Sequence, residues 1–212
     1  MKRQAAFLFL LTLLSTIPAA AQTIGIGIRG GYNLAFANRG GDTNGSPSSG
    51  IVLGASATLE LFPSFALQGG IQYVKKNNTF EIVLPGGETR TENYQFDYLE
   101  LPLSMTLNFG SSSPRFYGLL GTTLGTLLVA TGGDPEQNRD TSDVSESLDP
   151  IDMSVDIGAG MALDLSSHIT FIVEAKYNYG LLDIYQHTAQ VTSLNSWRAR
   201  DLKVIAGLYF SL

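Results

Sequence analysis

The chain has 212 residues, a formal net charge of −6 and no cysteine. This length fits a single domain, and the lack of cysteine excludes disulfides, thiolate metal sites and a cysteine nucleophile. The acidic balance argues against nucleic-acid binding through bulk electrostatics.

The first residues carry the pattern of a secretory signal peptide. Lys2 and Arg3 precede a short apolar run, and Ala19-Ala20-Ala21 follows that run. A basic start, a short apolar stretch and small residues at the cleavage site are typical of such peptides. We expect cleavage after Ala21, which leaves residues 22–212 as the mature domain and changes the net charge from −6 to −8. No later segment has the roughly eighteen consecutive apolar residues of a transmembrane helix.

After the signal peptide, apolar and polar residues alternate in segments that are separated by turn signals. The first three segments are 23–36, 51–62 and 65–76. Successive side chains of a strand point to opposite faces, so each segment predicts a strand with one apolar and one polar face. The first connection, 37–49, is long and polar, whereas Pro63-Ser64 predicts a short turn.

The connection to the fourth strand contains a turn signal of its own. Pro85-Gly86-Gly87 lies between strand-like segments at 79–84 and 88–95, which predicts a hairpin that extends the two neighbouring strands.

The fourth strand is predicted from about Tyr94 to Phe109, and its alternation changes phase. Its apolar residues are even-numbered as far as Tyr98 and odd-numbered from Leu99. A β-bulge near Tyr98 would reconcile the two halves. Pro102 falls on the inward face, where it predicts a bulge or locally weakened pairing.

The clearest signal is a pair of long alternating segments at 151–165 and 169–181, joined by Ser166-Ser167-His168. Strands of soluble proteins usually have about five or six residues, whereas a tilted strand of about nine to eleven residues crosses a bilayer. One face of this hairpin is apolar along its whole length and the other is polar. We therefore predict a transmembrane β-barrel with a lipid-facing exterior and a polar lumen.

Two further strands complete the chain. Segment 115–129 is less distinct because both of its faces carry apolar residues, and the last strand is predicted at 198–212. Long polar segments precede the hairpin at 130–150 and follow it at 182–197.

The predicted fold is an all-β, eight-stranded, antiparallel up-and-down transmembrane barrel that comprises residues 22–212. Its connections alternate between long and short, which predicts long extracellular loops and short periplasmic turns. Aromatic residues near the strand ends predict interfacial girdles. They are Tyr32, Phe36, Tyr94, Phe96, Tyr177, Tyr179 and Trp197 towards the loops, and Phe62, Phe65 and Phe109 towards the turns.

Four motifs resemble the PorT-type family of outer-membrane β-barrels, whose members are small barrels similar to OmpX and OmpA. They are Tyr98-Leu-Glu-Leu-Pro-Leu103, Phe116-Tyr-Gly-Leu-Leu-Gly121, Asp156-Ile-Gly-Ala-Gly160 and Tyr177-Asn-Tyr-Gly-Leu-Leu-Asp-Ile184. The resemblance covers essentially the whole mature chain. It implies a barrel of the Gram-negative outer membrane, and one branch of the family is similar to a component of a protein secretion system.

The C-terminus is similar to the signal that the outer-membrane insertion machinery reads, with Gly207, Phe210 and Leu212 as its residues. It departs from that signal in ending on leucine and in having Ile205 where a polar residue is usual. The implied partners are therefore the insertion machinery and outer-membrane lipid.

Charged residues occur on the inward face of most strands. They are Arg29, Glu60, Glu100, Asp152, Asp156, Asp164, Glu174, Lys176 and Lys203. Eight strands leave an interior just wide enough for side chains, and buried charges must be paired. We predict a lumen network in which Glu60, Glu100 and Glu174 pair with Arg29, Lys176 and Lys203. A pore lining or a proton path is the alternative reading.

Three other patterns have simpler explanations. Residues 25–30 match the dinucleotide fingerprint, but a signal peptide precedes them and a strand continues past them, whereas the motif needs a strand before it and a helix after it. The acidic loop lacks the spacing of an organised calcium loop. Its carboxylates are Asp134, Glu136, Asp140, Asp143, Glu146 and Asp149.

The last pattern is a polar loop in which His187 occurs with Asp183, Ser193 and Ser196, so a lipid-directed hydrolase is conceivable. Serines are common in polar loops by default, and we therefore predict no catalytic, cofactor or metal site. The function that we expect is a non-enzymatic scaffold or surface-interaction role through the extracellular loops, with a protein partner there. The alternatives are a secretion accessory, a lipid-modifying hydrolase and a soluble lipocalin-like barrel with its apolar face inward.

Overall fold

A computed structural model describes residues 23–39, 45–83, 89–110, 112–133, 142–143, 150–182 and 197–212. Nearly all of these residues lie in β-strands. The strands are β1 (Thr23–Arg39), β2 (Gly45–Phe62), β3 (Phe65–Val83), β4 (Thr89–Phe109), β5 (Arg115–Gly133), β6 (Ser142–Asp143), β7 (Ile151–Asp164), β8 (Ile169–Gly180) and β9 (Trp197–Ser211).

Eight long strands form a closed antiparallel barrel. Each long strand pairs with its neighbour in the chain, β5 pairs with β7, and β9 closes the sheet on β1. The two-residue strand β6 extends the loop end of β5. The predicted eight-stranded up-and-down barrel is therefore confirmed. Closure leaves no free edge along the paired part of the wall.

The short connections and both ends of the described chain lie at one end of the barrel. Leu212 N–H donates to Ile24 O at that end. Gly110, with a φ of +95°, leads into the turn between β4 and β5. The opposite end carries the long connections. Short turns are periplasmic in barrels of this kind, which assigns the long connections to the outside.

Several strands continue well past the predicted limits at the loop end. β3 and β4 remain paired as far as Val83 and Thr89, so the predicted hairpin extension is confirmed. A register shift between β4 and β5 lies at Asp97 and Tyr98, as predicted, but the extra residue is Leu128 on β5. The pairing of β3 with β4 is interrupted between Gly69 and Gln72, opposite the inward-facing Pro102.

The outward face is apolar and the inward face is polar, as the alternation predicts. Ile28, Leu103 and Ile157 are 65%, 57% and 61% exposed on the outer wall. Such large apolar side chains cover the wall from β1 to β9, and they need a lipid environment to be stable. In the described part of the chain, no helix is long and apolar enough to cross a membrane.

The prediction that the aromatic residues in the loop half of β4 face outward is wrong. Phe96 and Tyr98 are buried in the lumen, and Tyr94 stacks on Phe96 with ring centroids 6.3 Å apart. Because the extra residue belongs to β5, the alternation along β4 continues unbroken from Glu100. The cross-strand partners of Phe96 and Tyr94 on β5 are an alanine and a glycine, which leave space for the rings.

The outer wall carries the other described girdle residues. Phe62, Phe109 and Tyr32 are highly exposed, and Tyr177 and Tyr179 are moderately exposed. The predicted signal peptide, the acidic loop and the His187 loop lie outside the described residues or at positions whose side chains are not described. The hypotheses about them remain predictions.

Candidate functional site

The lumen is filled by charged side chains. Four cations and five carboxylates are buried there, each at most 5% exposed. They are Arg29, Lys76, Lys176 and Lys203 with Glu100, Asp152, Asp156, Glu174 and Asp201. The near balance of charge is what burial requires, because an isolated ion in a low-dielectric interior is very costly.

Five of these residues form a group that we call the Lys76 cluster: Lys76, Lys203, Glu100, Asp152 and Asp201. Lys76 Nζ lies 3.0 Å from both Glu100 Oε1 and Asp201 Oδ2, and 3.7 Å from Asp152 Oδ2. Lys203 Nζ lies 2.6 Å from Glu100 Oε2 and 3.4 Å from Asp201 Oδ1. Two cations therefore hold three carboxylates that come from three different strands.

An aromatic ring and an amide complete the surroundings of the Lys76 cluster. The Lys76 ammonium lies 4.7 Å from the centroid of the Tyr98 ring, at a distance where the ring attracts a cation. Gln72 Nε2 donates to Glu100 Oε2 at 2.8 Å, and Gln72 Oε1 accepts from Arg29 Nη2 at 2.9 Å. Gln72 thus joins the Lys76 cluster to a second group nearer the turns.

The second group surrounds Glu174, and we call it the Glu174 cluster. Tyr117 OH and Gln68 Nε2 each donate to Glu174 Oε1 at 3.0 Å. Arg29 Nη1 and Lys176 Nζ lie 3.7 and 4.0 Å from Glu174 Oε2. A Cβ at Gly160 would come within 2.4 Å of the Tyr117 ring, so the glycine allows the tyrosine to reach across the lumen.

A third group is centred on Asp156 of β7. Its Oδ2 accepts from Thr123 Oγ1 at 2.5 Å. Its Oδ1 accepts from Asn178 Nδ2 at 2.6 Å and from Ser154 Oγ at 3.1 Å. No described cation forms a salt bridge with this buried carboxylate, and the three neutral donors compensate for that.

The structure brings together five of the six residues of the predicted network and leaves one out. Glu60 is only half-buried, lies near the turn end of β2, and makes no ion pair with a described residue. Its position near the barrel end gives the carboxylate access to water, so it does not need a cation. Asp164, also predicted as inward, pairs instead with Arg115 at 2.9 Å beside the turns.

Sequence reasoning missed Lys76 and Asp201. Lys76 keeps the phase of Gln68 and Gln72 on β3, and Asp201 keeps the phase of Lys203 on β9. This alternation along each strand was the signal that could have placed both side chains in the lumen. Both residues lie near the ends of their predicted strands.

A cavity of about 90 Å³ opens below the Glu174 cluster towards the periplasmic end. Glu60, Gln68, Arg115, Tyr117 and Tyr209 contribute to its wall. Tyr209 OH is itself bound to Ser56 Oγ and to Gln68 Nε2. The volume suits a few water molecules rather than a large solute, and Gln68 and Tyr117 of the Glu174 cluster close its inner end.

The arrangement blocks the barrel rather than opening it. At the level of the Lys76 and Glu174 clusters, Lys203, Lys176 and Glu174 are each at most 1% exposed. Lys203 on β9 pairs with Glu100 on β4, and Glu174 on β8 accepts a hydrogen bond from Gln68 on β3. Each of these pairs joins strands on opposite sides of the barrel, so the side chains meet across the lumen. An eight-stranded barrel has little more interior volume than these side chains occupy.

The fold and its filled lumen define the class of small integral outer-membrane barrels. Residues 20–186 match the family model described as "Outer membrane protein beta-barrel domain", and the chain belongs to this family. The protein is therefore located in the outer membrane, and the soluble lipocalin-like alternative is wrong. A comparison with curated protein sequences finds no match.

The comparison with solved structures finds bacterial outer-membrane and surface proteins. Neisserial surface protein A shares 14% identity with a TM-score of 0.51, covering 88% of this chain and 96% of that one. OprG from Pseudomonas aeruginosa shares 14% identity with a TM-score of 0.49, covering 89% and 95%. Ail from Yersinia pestis shares 16% identity with a TM-score of 0.45, covering 89% and 99%. At these identities the likeness to Neisserial surface protein A concerns the fold alone.

Proposed function

We propose that this protein is a non-enzymatic outer-membrane barrel that works at the cell surface as a scaffold or interaction protein. The observation that carries the proposal is the filled lumen. Buried ion pairs such as Lys203–Glu100 and Lys76–Asp201 occupy the space through which a solute would have to pass. With that path blocked, the parts available for function are those outside the membrane.

The length of the hairpin formed by β3 and β4 supports this proposal. Lys75 and Asp97 are cross-strand neighbours on the outward face, and they mark the upper limit of its apolar band. The paired strands continue for eight more residues, from Lys75 to Val83. At about 3.3 Å per residue this is about 26 Å of paired strand beyond the apolar band. Such an extension provides a paired base for a binding surface.

Two alternatives concern other partners or chemistry. The PorT-type resemblance suggests an accessory role in protein secretion, which would require a partner on the periplasmic or membrane side. A lipid-modifying hydrolase would depend on His187 and the nearby serines, which lie outside the described residues. No contact among the described residues favours either alternative over the surface role.

Solute flux tests the closed lumen. Faster migration of the unboiled than of the boiled sample on a gel identifies folded protein. The folded protein would be reconstituted into vesicles for a swelling assay with arabinose. We expect the swelling rate to equal that of protein-free vesicles, while a large-pore barrel serves as the positive control. Swelling above the protein-free rate would contradict the closed lumen.

Site-specific photocrosslinking in intact cells tests the surface role. A photoreactive residue would be placed at Gln137 in the predicted loop after β5 and, as a matched control, at Ser166 in a periplasmic turn. We expect a discrete protein adduct from Gln137 that is absent from Ser166. An adduct from Ser166 alone would refute the surface role and support the secretion alternative. Altered lipid A that reverts in a His187→Ala variant would instead support the hydrolase.

A further inference from the structure

One arginine belongs to the lipid-facing wall instead of the lumen. Arg200 of β9 keeps the phase of the outward residues Leu202 and Val204. Its cross-strand partners are Tyr179 on β8 and Phe36 on β1, both 37% exposed on the outer wall. A cation therefore stands between two aromatic residues on the outside of the barrel, at its extracellular end.

The guanidinium of Arg200 is held in place, and no described residue forms an ion pair with it. Its central carbon lies 5.1 Å from the centroid of the Tyr179 ring, in a cation–π contact that restricts the side chain. The ion pairs among the described residues do not include Arg200. Its Nε is buried without a hydrogen-bond acceptor.

The level of Arg200 on the wall is that of the membrane interface. One step towards the turns, the outward residues on the same three strands are Leu34, Leu202 and Tyr177. Arg200 thus lies directly on the loop side of apolar outward residues, and tyrosine at such a position is typical of the belt beside lipid head groups.

We propose that Arg200, held against Tyr179, binds the anionic phosphate of a lipid head group in the outer leaflet. The planar guanidinium matches a phosphate through two parallel N–H donors, and it is the group that proteins favour for this purpose. The outward Lys75 provides a contrast, because its cross-strand neighbour Asp97 supplies a negative charge from the protein itself. The cross-strand neighbours of Arg200 are both aromatic, so on this proposal the compensating charge comes from the membrane.

The test measures lipid preference through Trp197, the single tryptophan, which lies three residues before Arg200 on β9. Folded protein would be placed in phosphatidylcholine vesicles that contain a minor fraction of lipid brominated on its acyl chains. The brominated lipid is phosphatidic acid in one series and phosphatidylcholine in the other. Quenching of Trp197 by each series gives the relative affinity for the anionic lipid.

We expect the native protein to prefer phosphatidic acid by about fivefold, the attraction typical of one basic residue at an anionic surface. Arg200→Gln should reduce the ratio to about one, whereas Lys75→Gln should leave the native ratio unchanged. Heat-modifiability on a gel shows that each variant is folded. A native ratio of one, an unchanged ratio in Arg200→Gln, or an equal loss in Lys75→Gln would overturn the proposal.

Discussion

The charge count of the Lys76 cluster predicts that two substitutions in one ion pair have unequal effects. Lys203→Met leaves a single cation, Lys76, facing three carboxylates. Glu100→Gln leaves two cations facing two carboxylates. Both side chains are almost fully buried, with 1% and 2% exposure, so neither loss is compensated by solvent.

The magnitudes follow from the contacts of each residue. Glu100 accepts from Lys203 at 2.6 Å and from Gln72 at 2.8 Å, and a glutamine keeps one oxygen as an acceptor. We expect Glu100→Gln to lower the free energy of unfolding by about 1.5–3 kcal/mol, the value of a hydrogen bond to a charged group. Lys203→Met should cost about 3–5 kcal/mol, because it leaves buried charge without compensation.

Equilibrium unfolding by urea in phosphatidylcholine vesicles measures both values, followed by gel mobility and by the fluorescence of the single tryptophan. The double variant completes a cycle in which the two losses should be less than additive, since one interaction is shared. Equal losses, or a larger loss in Glu100→Gln, would show that charge balance does not govern the stability of the Lys76 cluster.

Three further predictions concern other parts of the barrel, each measured by the same urea assay. A Cβ at Gly31 would lie 2.0 Å from the backbone oxygen of Val204, so Gly31→Ala should cost about 1–3 kcal/mol. Gly30→Ala, whose nearest contact would be the end of the Leu53 side chain at 3.2 Å, should cost less and serves as the control. Tyr117→Phe removes a donor to Glu174 and should cost about 1.5–3 kcal/mol, whereas the outward-facing Tyr177→Phe should have little effect. Asp164→Asn breaks a partly exposed pair with Arg115, and a loss above about 1 kcal/mol would contradict our account of that pair.

The strands and their faces were predictable because both are local properties of the sequence. The alternation of Ile151 to Leu165 identifies a membrane strand without reference to any other part of the chain. The inward aromatic residues of β4 were not predictable in this way. An extra residue on β5 shifts the register between β4 and β5 in the same way as an extra residue on β4 would. Only the observed pairing shows which strand carries the extra residue.

Partners in the lumen depend on information that no single strand contains. Glu100 and Lys203 are 103 residues apart, and Gln68 and Glu174 are 106 residues apart. Their meeting depends on the tilt and stagger with which eight strands close. The phase of Lys203 reveals that it faces inward, but not which carboxylate lies opposite. Sequence reasoning could therefore identify inward-facing charged residues, but it wrongly included Glu60 among the paired carboxylates.

The same closure explains why this barrel has a polar lumen. An outer wall in lipid must be apolar, and a strand that was apolar on both faces would lose little when its register slipped by one residue. The charges remove that freedom, because a slip would move Glu174 or Lys176 from the lumen into hydrocarbon. Buried ion pairs are weak evidence for stability compared with apolar packing. In this fold they restrict each pair of neighbouring strands to one register. This includes the pair β1 and β9, which closes the barrel.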